Sequence, residues 1–415
     1  MAAIDEQRLW ASTQALAALT EADRPWTRRA FGAHHAQARQ WLAEQFRAAG
    51  LEVQLDAGGN LCGRRPGRRP GGPVLMTGSH IDTVSGGGRY DGIIGVLAGL
   101  EIARALQQAG AELDHDFEVV DFLSEEPSDY GVSCVGSRAL AGLLDAAMLG
   151  QREPGGETLA EGLARCGGSP ASLGAPLRAP GSIAAFVELH IEQGPVLEVR
   201  GVPIGVVTHI VGIRRFRIVV VGRADHAGTT PMDLRQDALV GAARIIDAAQ
   251  SEAARLATGP NYVVATVGRI QVEPNAANAV PARAELTLEL RSDSEAVLER
   301  FADDLIERLR PSLQALRVSV SMDELSRSRP TVCDPGLMRE IEAAAAELDR
   351  PTLRLPSGAG HDAVYLARLA PAAMIFIPCE QGRSHRPEEA ITPAQLADGT
   401  QVLLRTLQRL DRAQP

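Results

Sequence analysis

Residues 74–110, VLMTGSHIDTVSGGGRYDGIIGVLAGLEIARALQQAG, decide the fold class of this chain. The apolar run at 74–77 predicts a buried strand. A loop rich in glycine and polar residues follows, and from 92 to 108 apolar residues recur at helical spacing up to Gly110, a normal signal for the end of a helix. A strand that leads through such a loop into a helix is the basic unit of an α/β fold.

The same α/β pattern, a sheet with flanking helices, occurs both before and after a segment that has a different pattern. Helices are expected within 6–49, at 336–348 and from Pro393, and strands at 117–123, 184–189 and 373–378. The intervening segment predicts strand 213–221, helix 234–257, strands 262–270 and 284–291, helix 295–313 and strand 316–321. This β-α-β-β-α-β order is ferredoxin-like. We therefore expect one domain formed by residues 1–208 and 326–415, with an α+β domain of residues 209–325 inserted into it.

Bulk composition excludes several classes of function. A chain of 415 residues with a net charge of −10 is long enough for two domains and too acidic to favour nucleic acid or an anionic membrane as partner. The N-terminal MAAIDEQRLW lacks the basic and apolar stretches of a signal peptide. The five cysteines are scattered and odd in number, which is typical of free thiols in a reducing compartment. The expected protein is cytoplasmic, with no membrane partner.

Histidines and carboxylates follow the predicted strands of the larger domain. Ligands of open α/β sheets collect at this carboxyl edge. His80 could bind a metal ion, with Asp82 orienting its ring. Asp91 precedes the predicted helix, where its simplest role is an N-cap. Glu125 and Glu126 are adjacent carboxylates, which need a cation or a proton to coexist when buried. One of them could bind a metal ion while the other acts as a general base.

Two further candidates complete a possible metal site, His190 in ELHIEQG and His385 in SHRP. Taken singly, each of these side chains is more often an ordinary hydrogen-bonding group, and a Glu-Glu pair is usually a solvated turn. Taken together, three histidines, one aspartate and one glutamate suit a five-ligand cage for two divalent ions bridged by a carboxylate. Because no cysteine is required, zinc, manganese or cobalt is favoured.

Eight motifs in this order carry a family resemblance: GSHIDTV, GGRYDG, SEEP, ELHIEQGPVLE, ADHAGTTPM, PNAANAVP, SGAGHDA and GRSHRPEE. Over residues 78–389 the chain resembles the amidase, hydantoinase/carbamoylase family of dimetal amidohydrolases. The resemblance implies a metallopeptidase-like catalytic domain with a mixed sheet and flanking helices, plus an inserted ferredoxin-like lid and dimerisation domain. His190 favours carbamoylases, because related metallopeptidases and aminoacylases usually present an acid there.

The resemblance also implies a role for individual residues. One ion would lie on His80 and His190, the other on Glu126 and His385, with Asp91 bridging both, Glu125 as general base and acid, Asp82 orienting His80, and His226 stabilising the oxyanion. Substrate would be bound by Gln193, Asn275, Asn278, Arg291, Gly360 and His361. The guanidinium fork of Arg291 suits a carboxylate, although an arginine on a strand is otherwise most simply a surface residue.

The expected reaction is metal-dependent hydrolysis of the ureido C–N bond of an N-carbamoyl-L-amino acid or N-carbamoyl-β-alanine, giving amino acid, CO2 and ammonia. The alternatives are an allantoate amidohydrolase, an aminoacylase or dipeptidase, and an inactive metal-binding relative. A general base at Glu125, next to a metal ligand, argues against the inactive relative. The family pattern further predicts two divalent ions per subunit, with zinc favoured over manganese or cobalt. It also predicts a homodimer, formed through the inserted domain, in which His226 acts at the partner's site.

Overall fold

The chain forms two compact units. The computed structural model describes residues 2–413, so Met1 and residues 414–415, which the sequence prediction assigned to the first domain, lie outside the described residues. The first unit runs to Thr208 and includes 333–355 and the chain from Gly360, whereas the second comprises 209–332 and 356–359. The second unit therefore extends beyond the expected boundary at 325, because the strand Ser319–Arg327 continues past that point.

A mixed sheet is the centre of the first unit, as the sequence predicted. Its strands are β1 (Glu52–Leu55), β2 (Leu61–Arg65), β3 (Val74–Ser79), β4 (Asp116–Asp121), β5 (Ile183–Ile191), β6 (Ile204–Ile210), β14 (Thr352–Ser357) and β15 (Ala372–Ile377). They lie in the order β1-β2-β4-β3-β5-β15-β6, with β14 also paired to β6. The central pairs β4/β3, β3/β5 and β5/β15 are parallel.

The parallel strands are buried on both faces, which explains their continuous apolar runs, such as AAMIFI in β15. The helices of this unit are α1 (Glu6–Ala17), α2 (Ala33–Ala48), α3 (Ile93–Gln108), α4 (Val135–Leu140), α5 (Ala146–Leu149), α6 (Leu159–Arg165), α7 (Val196–Arg200), α10 (Pro335–Ala346), α11 (Ala363–Leu366) and α12 (Pro393–Ala413). Helix α3 contacts both β3 and β5. Because α3 is the next element after the loop at the carboxyl end of β3, its start lies at the carboxyl edge of the parallel strands.

The second unit has its own antiparallel sheet. Its elements are β7 (Gly212–Val221), β8 (Asp225–His226), α8 (Ala238–Leu256), β9 (Val263–Glu273), β10 (Ala279–Val280), β11 (Arg283–Ser292), α9 (Glu295–Ala315), β12 (Ser319–Arg327) and β13 (Thr331–Val332). The order β12-β7-β11-β9 is that of a ferredoxin-like fold, with β8 and β10 forming a separate ribbon. Buried and half-buried residues alternate along β11, because only one face of the sheet packs against helices.

None of the helices within residues 2–413 is long and apolar enough to span a lipid bilayer.

Candidate metal centre

The polar residues of interest lie at the carboxyl edge of the parallel strands. His80 and Asp82 follow β3, Glu125 and Glu126 follow β4, and His385 follows β15. The prediction placed His190 after a strand ending at 189, but β5 continues to Ile191, and His190 pairs in register with Phe376 of β15. The strand is longer because β15 stays paired with it in parallel up to Ile191, beyond the point where the pairing with β3 ends at Val187.

The carboxylate of Asp91 does not cap α3, whose N-cap is Gly92 with a φ of 70°. A Cβ on Gly92 would lie 2.4 Å from His80 Nε2. The absence of a side chain at this position therefore lets the His80 ring lie against the start of the helix, next to Asp91. Only glycine combines this backbone conformation with such a close approach.

Two groups of potential metal ligands share Asp91. In the first, Asp91 Oδ1 lies 3.0 Å from His190 Nε2 and 3.8 Å from His80 Nε2. In the second, His385 Nε2 lies 2.9 Å from Asp91 Oδ2 and 3.1 Å from Glu126 Oε1. The ligand atoms within each group all lie within 4.8 Å of one another. Each oxygen of Asp91 therefore faces a different group, so this one carboxylate could contribute a ligand atom to both.

Hydrogen bonds orient two of the imidazoles. His80 Nδ1 lies 3.0 Å from the carbonyl oxygen of Asp82, and His190 Nδ1 lies 2.9 Å from that of Ile191. Because a carbonyl oxygen only accepts, each Nδ1 carries a proton and each Nε2 faces Asp91. Histidine nitrogens held in this way together with carboxylate oxygens are the donor set that divalent transition metals use in proteins.

The electrostatics indicate that the cluster needs positive charge. Burial, followed by the charge of Glu126, raises the pKa of Glu125 well above its usual value. Burial also raises the pKa of Asp82 to about 6. The hydrogen bonds that His385 donates to Asp91 and Glu126 raise its pKa to about 11, so the ring holds a proton beside these carboxylates. A bound cation would supply this charge instead, and the donor set therefore fits a metal ion.

Glu125 lies next to the first group without belonging to it. Its Oε2 is 3.6 Å from His80 Nε2, and the Sγ of Cys134 lies 3.6 Å from its Oε1. The carboxylate of Asp82 accepts the backbone N–H groups of Glu125 at 3.2 Å and Glu126 at 3.1 Å. Asp82 thus orients both glutamates, and its contact with His80 is closer through its carbonyl oxygen than through its carboxylate, which lies 3.7 Å away.

Two of the expected substrate-binding side chains lie with these ligands. Gln193 Nε2 donates to Asp91 Oδ2 at 2.8 Å. The ring of His361 lies edge to face with that of His190, with 4.6 Å between the centroids, and burial lowers the pKa of His361 well below its usual value. Gly360 precedes His361 and is exposed.

The other expected residues belong to the second unit. His226 lies on the β8–β10 ribbon and Asn278 directly precedes β10, and the N–H of Ala227 donates to the carbonyl of Asn278 at 2.9 Å. Asn275 is exposed and has a φ of 55°. Arg291 donates through Nε to Glu289 at 2.8 Å and through Nη1 to the carbonyl of Gly358 at 2.7 Å. The guanidinium is therefore held in one orientation.

The sequence prediction missed some buried polar residues around the ligands. Glu188 accepts a hydrogen bond from Ser79 at 2.7 Å and forms a third cluster with His190 and His361. A signal existed for Glu188, because residues two apart on a strand point to the same face as each other. Glu389 is 1% exposed and accepts the backbone N–H of Asp91 at 3.0 Å. It lies within a quoted motif, but nothing in the motif's spacing relates it to Asp91, almost 300 positions earlier.

Comparison with known proteins identifies the family of this chain. Residues 76–409 match the model of peptidase family M20/M25/M40. The chain is 39% identical to an N-carbamoyl-L-amino acid amidohydrolase of Geobacillus stearothermophilus, over 92% of this chain and 93% of that one. It is 34% identical to an allantoate amidohydrolase of Bacillus subtilis, over 90% and 91% respectively.

A solved structure of an amidase also matches this chain in fold and in sequence. An amidase of the hydantoinase/carbamoylase family from Burkholderia multivorans superposes with a TM-score of 0.91 at 35% identity, covering 99% of this chain and 98% of that one. Both the fold and the sequence are thus shared along nearly the whole length. The chain belongs to peptidase family M20/M25/M40 and, as its motifs predicted, to the hydantoinase/carbamoylase family of amidases.

Proposed function

We propose that this protein hydrolyses the ureido C–N bond of an N-carbamoyl-L-amino acid, or of N-carbamoyl-β-alanine, using two divalent ions, with zinc favoured over manganese or cobalt. The proposal depends on one observation. The two carboxylate oxygens of Asp91 belong to two different ligand groups, and the buried carboxylate of Glu125 lies beside them without belonging to either group. The relatives named as carbamoyl amino acid amidohydrolases support the choice of substrate.

Five residues would hold the ions. His80 and His190 would bind one, Glu126 and His385 the other, and Asp91 would bridge them. When bound, such ions polarise a carbonyl and lower the pKa of water. The protein's contribution is a fixed geometry, because the ring hydrogen bonds and the Asp82 carboxylate orient these side chains.

Glu125 would move the proton. Its carboxylate takes a proton from the attacking water as the new C–O bond forms at the ureido carbon. It then delivers this proton to the amino acid nitrogen as the C–N bond breaks. The products are the amino acid and carbamate, which decomposes to CO2 and ammonia. The single buried position of Glu125 suits both transfers, since one carboxyl group accepts the proton and later donates it.

Arg291 would bind the substrate's carboxylate. Its Nε and Nη2 contact Glu289 Oε1, and its Nη1 contacts Gly358. A guanidinium has five N–H donors, so Nη1 and Nη2 each keep one N–H for two substrate oxygens. A carboxylate fits this fork better than a neutral group does.

His226 would stabilise the oxyanion from the neighbouring subunit of a homodimer formed through the second unit. The Nδ1 of His226 accepts the N–H groups of Gly228 at 3.0 Å and Thr229 at 3.2 Å. The remaining ring proton is therefore on Nε2, as an oxyanion donor requires. Because the side chain is exposed, it is available to a second copy. A cytoplasmic location completes the proposal.

The function is tested by measuring ammonia release from a panel of N-carbamoyl-α-amino acids, N-carbamoyl-β-alanine and allantoate, and acetate release from N-acetyl amino acids. We expect the largest kcat/KM on an N-carbamoyl-L-amino acid and no turnover of its D-enantiomer. Allantoate is the second candidate, because a relative carries that activity. If allantoate is turned over preferentially, it replaces the N-carbamoyl amino acid as the proposed substrate. If only the N-acetyl compounds react, with release of acetate, both proposed substrates are wrong.

The shared site is tested by co-expressing Glu125→Ala with His226→Ala. If His226 acts in trans, a mixed dimer contains one site with both lesions and one with neither, and activity returns. If it acts in cis, each site keeps one lesion. Verified mixed dimers without activity would therefore contradict the trans arrangement.

A further inference from the structure

Glu389 joins the two loops that carry Asp91 and His385. Its Oε1 accepts the backbone N–H groups of Tyr90 at 2.6 Å and Asp91 at 3.0 Å, and its Oε2 accepts the hydroxyl of Ser384 at 2.8 Å. We propose that Glu389 is a positioning residue, which aligns the bridging carboxylate and His385 for binding a divalent cation. The inference rests on the proposed metal centre.

The two loops approach each other closely around this contact. A Cβ on Gly87 would lie 2.3 Å from the backbone carbon of His385, so the backbones touch directly. Ser384 Oγ also lies 3.1 Å from Asp91 Oδ2. Because a hydroxyl has one proton, the shorter contact with Glu389 takes it, and Asp91 Oδ2 remains an acceptor. The arrangement thus orients Asp91 through its backbone while leaving its carboxylate for a cation.

The charge of Glu389 is placed unusually for a purely structural residue. The side chain is 1% exposed, its three hydrogen-bond donors are neutral, and no arginine within residues 2–413 forms an ion pair with it. A buried carboxylate without a counter-charge is destabilising. A cation on the adjacent Asp91 would compensate this charge. Glu389 therefore costs stability in the metal-free protein and increases cation affinity.

Removing the charge of Glu389 should therefore stabilise the metal-free protein but weaken cation binding. A residue that only supported the fold would not produce these two opposite effects. The variant Glu389→Gln keeps the size of the side chain and removes its charge. The matched control is Glu388→Gln, because Glu388 is the adjacent residue and is exposed. Each protein is stripped of metal, and Zn²⁺ affinity is measured by competition with a chelator. Thermal unfolding is then followed with Zn²⁺ and with EDTA.

We expect Glu389→Gln to weaken Zn²⁺ binding by about 10- to 100-fold, the usual effect of losing a partner of a metal ligand. Its melting temperature in EDTA should equal or exceed that of the wild type, whereas the increase produced by Zn²⁺ should shrink. Glu388→Gln should match the wild type in both. A smaller loss of affinity is expected for Ser384→Ala, which removes one of the three hydrogen bonds and serves if Glu389→Gln does not fold.

Unchanged Zn²⁺ affinity in Glu389→Gln, or equal destabilisation with and without Zn²⁺, would overturn the inference. Asp91→Asn distinguishes this failure from a failure of the metal centre itself. If Asp91→Asn loses Zn²⁺ while Glu389→Gln retains it, only the positioning role is wrong. If neither variant changes Zn²⁺ binding, the proposed centre is wrong as well.

Discussion

Replacing Gly92 with alanine tests whether the start of α3 fixes the position of His80. The new Cβ would lie 2.4 Å from His80 Nε2 and Cε1, whereas ordinary contacts begin at 3.4 Å. The ring must therefore move by about 1 Å, which exceeds the roughly 0.2 Å tolerance of a metal–ligand distance. A shift of this size at a reacting centre costs roughly 100-fold in rate. Overpacking adds about 1–3 kcal/mol of destabilisation.

The chain offers a matched control in Gly86. Gly86 has a φ of 73°, close to the 70° of Gly92, but a Cβ there would have no atom within 4 Å. Gly86→Ala therefore carries the backbone cost of about 1–2 kcal/mol without the clash. Metal content by elemental analysis, urea unfolding and turnover should be measured on both variants. Equal metal content and turnover in Gly92→Ala and Gly86→Ala would refute the role given to this contact.

Three further predictions concern individual side chains. Glu125→Gln should keep metal and lose about 100- to 10,000-fold in kcat, whereas Glu126→Gln should lose metal affinity; elemental analysis with kinetics checks this, and the reverse result would exchange their roles. Arg291→Lys should lower kcat/KM at least about 10-fold for carboxylate substrates. Arg217→Lys is the control on the same sheet, and a loss of kcat/KM in this control alone would show that Arg217 binds the substrate carboxylate instead. In the metal-stripped protein, folding raises the pKa of Asp82 from 3.8 to about 6. Its protonated form therefore stabilises the fold at low pH, and this stabilisation is lost as pH rises through 6. The stability of Asp82→Asn relative to the wild type should then rise by on the order of 3 kcal/mol between pH 4 and 7, and urea unfolding that shows a constant difference would contradict this.

The sequence predicted the elements whose packing leaves a simple periodic pattern. The buried strands β3 and β15 are continuous apolar runs, and β7 and β11 alternate because one face of their sheet packs on helices. Strand β1 was missed because it has four residues, none of them fully buried. Its sequence EVQL therefore carries no core pattern, and its conformation is set by pairing with β2.

The candidate ligands were predictable because each lies in a short motif near a strand end. What the motifs could not show is how the residues meet. The positions of Glu389 and Gln193 beside Asp91 depend on contacts between segments about 100 to 300 residues apart. Likewise, the orientation of both glutamates by the Asp82 carboxylate depends on the parallel pairing of β3 with β4. Such long-range contacts leave no periodicity in the sequence.

If Asp91 bridges two ions, the metal stoichiometry of Asp91→Ala must differ from that of the wild type. Wild-type protein and the variant are stripped, reconstituted with Zn²⁺, desalted and analysed for zinc per chain. We expect two ions in the wild type and a loss of both in Asp91→Ala, because each ligand group then retains only two of its three members. Two ions retained by Asp91→Ala would contradict the bridging role.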